Sequence, residues 1–460
     1  MSPQEAKSRY PDAPVISPVE GESDASARIV SAARVSAVLI LTGTLPLRGP
    51  LQLSAGKYRY LKIFGDATLT RSAAEGYLAG DPYFAATLQL SDYPDGVEVN
   101  GIRIVHDADF MVANAWQNPT PVHGLAIYRC GMTPRRRIGG GPLAVEQCEG
   151  GSTGFGVRVV NCSFDGIGLP TTSGHRHPVA LLLRGNGHVE VDACHFRDCF
   201  GAGTVTISDV NGDVRLSRLM IENAGSEAVN IGGRIGTPDD PVTVLVEDCT
   251  IRKAARHGIA IGYEPAGAGP VNPIYGEVIV DACTISDTGW SGVYSHEGNP
   301  FDARGSVLIR NCRLMDCGIA DVNGTPNVGL QGGIALHHSQ KRILIRNVTI
   351  ASAEERTVPC VLINQASNVS VDGLVTTGRT AVRINGNCSN MRIGNVAGTV
   401  EAQWTGDGRA MVFDQIDGNC DVSWYGADHH WPVQGDVVAN GVRQFTRPPD
   451  MQGVKWSESR

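Results

Sequence analysis

The chain is poor in charge and in aromatic rings: 19% of its 460 residues are Asp, Glu, Lys or Arg, and 6% are Phe, Trp or Tyr. The formal net charge is −8, and the only short basic run is Arg135-Arg136-Arg137. No strongly basic domain offers the footprint of a nucleic-acid partner. No apolar run reaches the length of a bilayer span, so no membrane partner is expected. The twelve cysteines include no CxxC pair, which removes the usual structural zinc sites. Their spacing does not demand disulfides either, and buried thiols acting as small hydrophobes is the simplest reading.

Against those absences stands a glycine-rich repeat, with 56 Gly in the chain. An eight-residue phrase recurs: apolar-x-apolar, two turn residues, apolar or Cys, any residue, apolar. It reads VEVNGIRI from Val97, VRVVNCSF from Val157, VEVDACHF from Val189 and VRLSRLMI from Val214. VLVEDCTI from Val244, VIVDACTI from Val278, VLIRNCRL from Val307 and ILIRNVTI from Ile343 continue it. Weaker copies start at Val369 and Met391. The sixth position is Ile102, Cys162, Cys194, Leu219, Cys249, Cys283, Cys312, Val348, Leu374 and Val396. From Cys162 the steps are 32, 25, 30, 34, 29, 36, 26 and 22 residues, the period of a solenoid turn with variable loops.

Each phrase is two short strands, since alternation of apolar and polar residues buries one face. The joining pair often holds Asn or Asp, as in Val160-Asn161 and Arg310-Asn311, which tolerate a left-handed corner. A third strand precedes most copies, as in EAVNIGG, HGIAIGY, SGVYSHE and GGIALHH. The expected fold is all-β, a solenoid of about ten three-stranded turns in which each turn buries its inner face against its neighbours. The cysteine column then lies inside it.

This pattern resembles the right-handed parallel β-helix of the pectin-lyase-like superfamily, over about residues 55–400. The resemblance implies a long groove along the outer faces of stacked strands, as in related polysaccharide lyases, glycoside hydrolases and phage tailspikes. Residues 1–54 read as an N-terminal arm with a capping helix at about 21–36, N-capped by Ser23 or Asp24. Residues 401–460 lose the repeat, carry Trp404, Trp424, Trp431 and Trp456, and read as a cap or tail. The polar start, MSPQEAKSRYPDAP, has no hydrophobic signal core, leaving cytoplasm, virion or a removed signal open.

Insertions between turns gather function on one face. The long ones are 105–156, 166–178 with His175 and His177, 264–276, 297–305 and 317–332. Aligning the third strands puts Ser208-Asp209, Gly232-Gly233, Gly262-Tyr263, His296-Glu297, His337-His338 and Asn364-Gln365 in one pair of columns. Glu264 follows Tyr263, and Tyr294 points to the side of His296. Glu264, Glu297, His296 and His337 are the candidate catalytic residues. Tyr263, Tyr294, His338, Asp209, Asn230 and Arg234 are the candidate substrate-binding residues.

Two carboxylates could serve as acid and base on a glycosidic bond. A His or Tyr could instead take the proton beside a uronate carboxyl in elimination. No cofactor is required, although His296, Glu297, His337 and Glu264 could hold a divalent metal. The expectation is a carbohydrate-active enzyme acting on a polysaccharide or oligosaccharide, leaning to hydrolysis because the cluster lacks Lys and Arg. The alternative is a non-catalytic glycan-binding or structural rod such as a virion fibre, which would be a homo-oligomer and, if fibre-like, a trimer.

Overall fold

The structure is a computed structural model that describes the chain except residues 72–86, 106–110, 114–121, 134–142, 147–155, 168–178, 201–202, 263–273, 297–304, 319–330, 340, 353–357, 387, 405–410, 425–434, 443, 447–453 and 460. The chain divides into two compact units, Met1–Ser226 and Glu227–Arg460. Each is a stack of three-stranded turns whose strands pair in parallel with the equivalent strand of the next turn.

In the first unit the first sheet runs from Val38–Leu41 through Leu61–Gly65, Val97–Asn100, Leu125–Tyr128, Val157–Val160 and Val189–Asp192 to Val214–Ser217. The second sheet begins at Thr44–Leu47 and the third at Leu51–Ser54, and both repeat turn by turn. Inward side chains stack between turns: Phe164 lies parallel to Phe196 with ring centroids 4.6 Å apart. Two turns therefore precede the first legible copy of the phrase. A further copy, LAIYRCGM from Leu125, pairs with Val97–Asn100 on one side and Val157–Val160 on the other. It brings Cys130 into the cysteine column.

The second unit repeats the plan. Its first sheet runs through Val242–Glu247, Gly276–Asp281 and Ser306–Arg310 into the long strands Arg342–Ala351, Val369–Gly386 and Met391–Trp404. Pairing continues where the phrase is no longer visible, with Met411–Asp417 on Met391–Trp404, Gly435–Asn440 on Met411–Asp417, and Val454–Ser459 on Gly435–Asn440.

The corners explain the phrase. Its fifth residue is left-handed in copy after copy: Gly101, Arg129, Asn161, Ala193, Arg218, Asp248, Ala282, Asn311, Asn347, Gly373 and Asn395 all have φ between 49° and 81°. One left-handed residue turns the chain by roughly a right angle, so the sixth residue points inward. The cysteines there are buried, and the backbone N–H groups of Cys130 and Cys162 each donate to the next turn's Sγ at 3.4 Å. Eleven cysteines are free and buried among the described residues. Burial pushes the Cys199 thiol up to about 12 and Cys317 up to about 11.

Two helices cover the N-terminal end of the first unit. Pro3–Arg9 was not anticipated; a capping box between Ser2 and Glu5 starts it, and Ala6 packs on Val38, Ile40 and Phe64. The expected helix spans Ser26–Val35 and buries Ile29 and Ala33. Its N-cap is Ala25, neither Ser23 nor Asp24; the Asp24 carboxylate instead accepts from the Ser26 N–H at 3.0 Å and the Ser26 hydroxyl at 2.6 Å. Among the described residues no helix is long and apolar enough to cross a membrane.

Candidate functional site

The site lies on the third sheet of the second unit. Its strands are Val229–Gly232, Ile259–Ile261, Val293–His296, Ile334–His337 and Val361–Asn364. Val229, Ile231, Ile259, Ile261, Val293, Ile334, Leu336, Val361 and Ile363 face inward and are buried. The alternate positions point to the opposite side of the sheet, where Asn230, Ala260, Ala335, Leu362 and His337 are also buried. Asn230, Ala260, Tyr294, Ala335 and Leu362 form one outer column, and His296, His337 and Asn364 form part of the next. The register expected from the sequence is the register observed for these residues.

The aromatic side chains converge. Tyr294 lies parallel to His296, centroids 6.1 Å apart, and 5.4 Å from the His337 ring. His338 occupies the left-handed corner, φ 51°, and meets His296 edge-on at 5.6 Å. His337 is 1% exposed. The Asn364 amide Nδ2 sits 3.1 Å from its Nδ1; an amide N–H only donates, so Nδ1 accepts and the proton is on Nε2.

Sequence reasoning missed the layer beneath. His257 stacks on Tyr294 at 4.2 Å and 18°, and meets the Trp290 edge at 5.1 Å. Its Nδ1 accepts the Ser291 backbone N–H at 3.2 Å. Arg256 lies 4.9 Å from the Trp290 ring centroid and 3.6 Å from the Glu227 carboxylate, itself 2% exposed. A signal was present: Arg256-His257-Gly258 and Trp290-Ser291-Gly292 occupy equivalent places before their strands, and Gly258 would clash with Gly292 if it carried a Cβ.

Burial, then the neighbouring Arg256 and His337, pushes His257 down to about 3. Burial and then the charge of His338 lower His296. His257 is therefore a neutral imidazole at physiological pH, and His296 is biased towards one. Such groups accept or donate hydrogen bonds and take up protons; they do not act as fixed cations.

Of the candidate residues, Tyr294, His296, His337 and His338 are brought together. Asn230 shares the Tyr294 column two turns away, and its buried Oδ1 has no hydrogen-bond partner among the described residues. Arg234 is exposed beyond the end of Val229–Gly232. Asp209 belongs to the first unit, where its carboxylate takes the Arg184 Nε at 3.1 Å and the Ser208 hydroxyl at 2.9 Å. Tyr263, Glu264, Glu297, His175, His177 and the run Arg135–Arg137 fall outside the described residues. Among the described residues no three His, Cys, Asp or Glu side chains are placed to hold a metal ion.

The model of a family described as a right-handed β-helix region matches residues 147–395, more than half of the chain. The chain belongs to the right-handed β-helix family. No curated protein matches this β-helix chain. Among solved structures, the catalytic unit of an alpha-1,3-glucanase from Streptomyces thermodiastaticus is 14% identical, covering 96% of this chain and 65% of its own, with a TM-score of 0.40. The present β-helix thus spans just under two thirds of that unit's length. The tailspike of E. coli bacteriophage HK620, solved with a hexasaccharide, is 12% identical over 92% of this chain and 75% of its own, with a TM-score of 0.47. The Streptococcus pneumoniae surface adhesin PfbA is 10% identical over 96% and 93%, with a TM-score of 0.36.

Proposed function

We propose that the outer face of the third sheet in the second unit binds a polysaccharide or oligosaccharide and cleaves a glycosidic bond in it. One observation carries this reading: Tyr294, His296, His337 and His338 converge on neighbouring turns, although the other members of the Tyr294 column on these turns are Ala260, Ala335 and Leu362. Titratable groups gathered on one stretch of a packing repeat are more than a spacer needs. Glu264 and Glu297 are the acid and base of this proposal, and His296 and His337 hold or move protons in it. Asn230 and Tyr294 line the adjoining sugar position.

Hydrolysis is favoured over elimination. Elimination needs the uronate carboxylate neutralised; the outer column from Asn230 to Leu362 carries no cation, and Arg383, which follows Leu362, is already paired with Glu401 at 2.9 Å. The test is a polysaccharide panel read by new reducing ends and by absorbance of unsaturated products. Glu297→Gln and His296→Ala should each lose at least about 100-fold in rate, the usual share of a general acid or base. Full activity in both variants would sink the assignment.

A second reading, a glycan-binding module without catalysis, is favoured by the burial of His257 and His337, whose ring edges are spent on Ser291 and Asn364. Glycan binding with no new chain ends in mass spectra would select it.

A further inference from the structure

The first sheet of the second unit carries an outer face that none of this uses. Leu245, Ile279, Leu308 and Leu344 are paired across four successive turns and alternate with buried inward residues, so they form one outward aliphatic column. All four are half-buried. Outward positions of a solvated sheet are ordinarily polar, so a contiguous outward aliphatic column that is only half-buried is a candidate contact surface.

The charges beside the stripe are not mixed. On one side the column reads Glu247, Asp281, Arg310, Arg346; on the other it reads Thr243, Glu277, Ser306, Arg342. The two earlier turns are acidic and the two later ones basic. Arg342 and Arg346 are exposed at either side of Leu344, and beyond the end of the stripe Asp372 lies in register beside Arg346. Within the chain, Arg310 already pairs with Asp281 at 2.7 Å.

We propose that this face is a self-association surface whose occupant is a second copy of the chain, related by a two-fold axis. The axis runs parallel to the strands, between Gly276–Asp281 and Ser306–Arg310. That rotation inverts the order of turns and keeps each column opposite itself. Leu245 then faces Leu344 of the other copy, Ile279 faces Leu308, Glu247 faces Arg346 and Asp281 faces Arg310. The other face-to-face two-fold, along the stacking direction, exchanges the flanking columns. It sets Glu277 against Asp281 and Arg342 against Arg346, and is repelled. The charge pattern therefore admits one of the two arrangements, and in an isologous contact each favourable pair occurs twice.

At a strand spacing of about 4.8 Å the patch is roughly 15 Å on a side. That is well below the about 800 Å² per partner of a standard interface, so the dimer is concentration-dependent and dissociates in the micromolar range or above. Sedimentation equilibrium of the full chain over roughly 10–500 μM, a range bracketing such a constant, is the test. The wild-type mass should rise towards twice that of the monomer. Leu308→Glu should remain monomeric throughout, and Arg346→Glu should weaken the dimer at least tenfold. Arg346→Glu combined with Glu247→Arg should restore it to within about threefold, because the exchanged charges meet again across the axis. Unchanged circular dichroism and melting temperature in the exposed Arg346→Glu variant separate lost association from lost folding. A wild-type monomer at every concentration, a trimer, or a dimer indifferent to both single variants overturns the proposal.

Discussion

The imidazole of His257 lies flat against the ring of Tyr294, centroids 4.2 Å apart, and meets Trp290 edge-on at 5.1 Å. Because the ring is buried and its pKa is near 3 when folded, against 6.5 for an ordinary histidine, the unfolded chain binds a proton there that the folded chain does not. Stability from this residue is complete above about pH 6.5 and is lost as pH falls from there towards 3, with a slope approaching 1.4 kcal/mol per pH unit. Urea unfolding at pH 7 and pH 4.5 should show the loss in the wild type and a smaller loss in His257→Phe. His257→Ala should cost about 3 kcal/mol at pH 7 through the cavity it leaves.

Asp192 gives an acid-side contribution at a lower pH. It is 8% exposed and accepts from Arg218 Nε at 2.9 Å and Ser217 Oγ at 2.8 Å. The Arg218 hydrogen bond, offset in part by burial, holds its carboxyl below the usual range. Its stabilisation is present above about pH 4 and disappears as pH falls through the lowered pKa. Asp192→Asn should destabilise by about 1–3 kcal/mol at pH 7, and the difference from wild type should shrink below pH 3 in melting experiments.

The left-handed corners make opposite predictions for two small residues. Ala193 and Ala282 hold φ of 49° and 52°, a conformation disfavoured by about 1 kcal/mol for a residue with a Cβ. Replacing either by Gly should stabilise by about 0.5–1 kcal/mol, since relief of that strain outweighs the greater freedom of unfolded Gly. Gly101 is the reverse case: a Cβ there would sit 2.1 Å from the Gly65 carbonyl oxygen, so Gly101→Ala should cost more than about 2 kcal/mol in thermal melts.

Native protein should leave the described thiols unreactive towards an aromatic disulfide reagent, because they are buried away from it. In denaturing urea all twelve should react. Fast labelling of Cys162 or Cys194 in the native state would contradict the interior cysteine column.

The phrase was legible because its constraint is local. Two alternating strands and one left-handed corner recur in eight residues, and alignment alone placed His296, His337 and Asn364 in one column. LAIYRCGM escaped notice because residues 105–156 read as one insertion, although its corner Arg129 matches Arg218 in a recognised copy; other copies escaped where alternation lies inside long strands, as at Met411–Asp417. The helix start was misjudged by one residue because Asp24 satisfies a helix N–H from outside the N-cap position. His257 was hidden for another reason. It precedes the strand, where no period applies, and its importance comes from Tyr294, 37 residues later in the chain. The Arg184–Asp209 ion pair likewise depends on which of several outward neighbours a carboxylate selects, and a repeat register does not decide that.

In the described cysteine column, backbone contacts join residues 32 positions apart, Cys130 to Cys162 and Cys162 to Cys194. Every turn within a unit meets the turn before it at a comparably modest separation, so no closure of distant ends is required. A completed turn presents unsatisfied N–H and C=O groups on which the next segment can be laid down. The fold can therefore grow like a crystal face, one layer per 18–41 residues of chain. During synthesis the emerging polypeptide would find its template already waiting, and an insertion longer than its neighbours would delay one layer without disturbing those beneath.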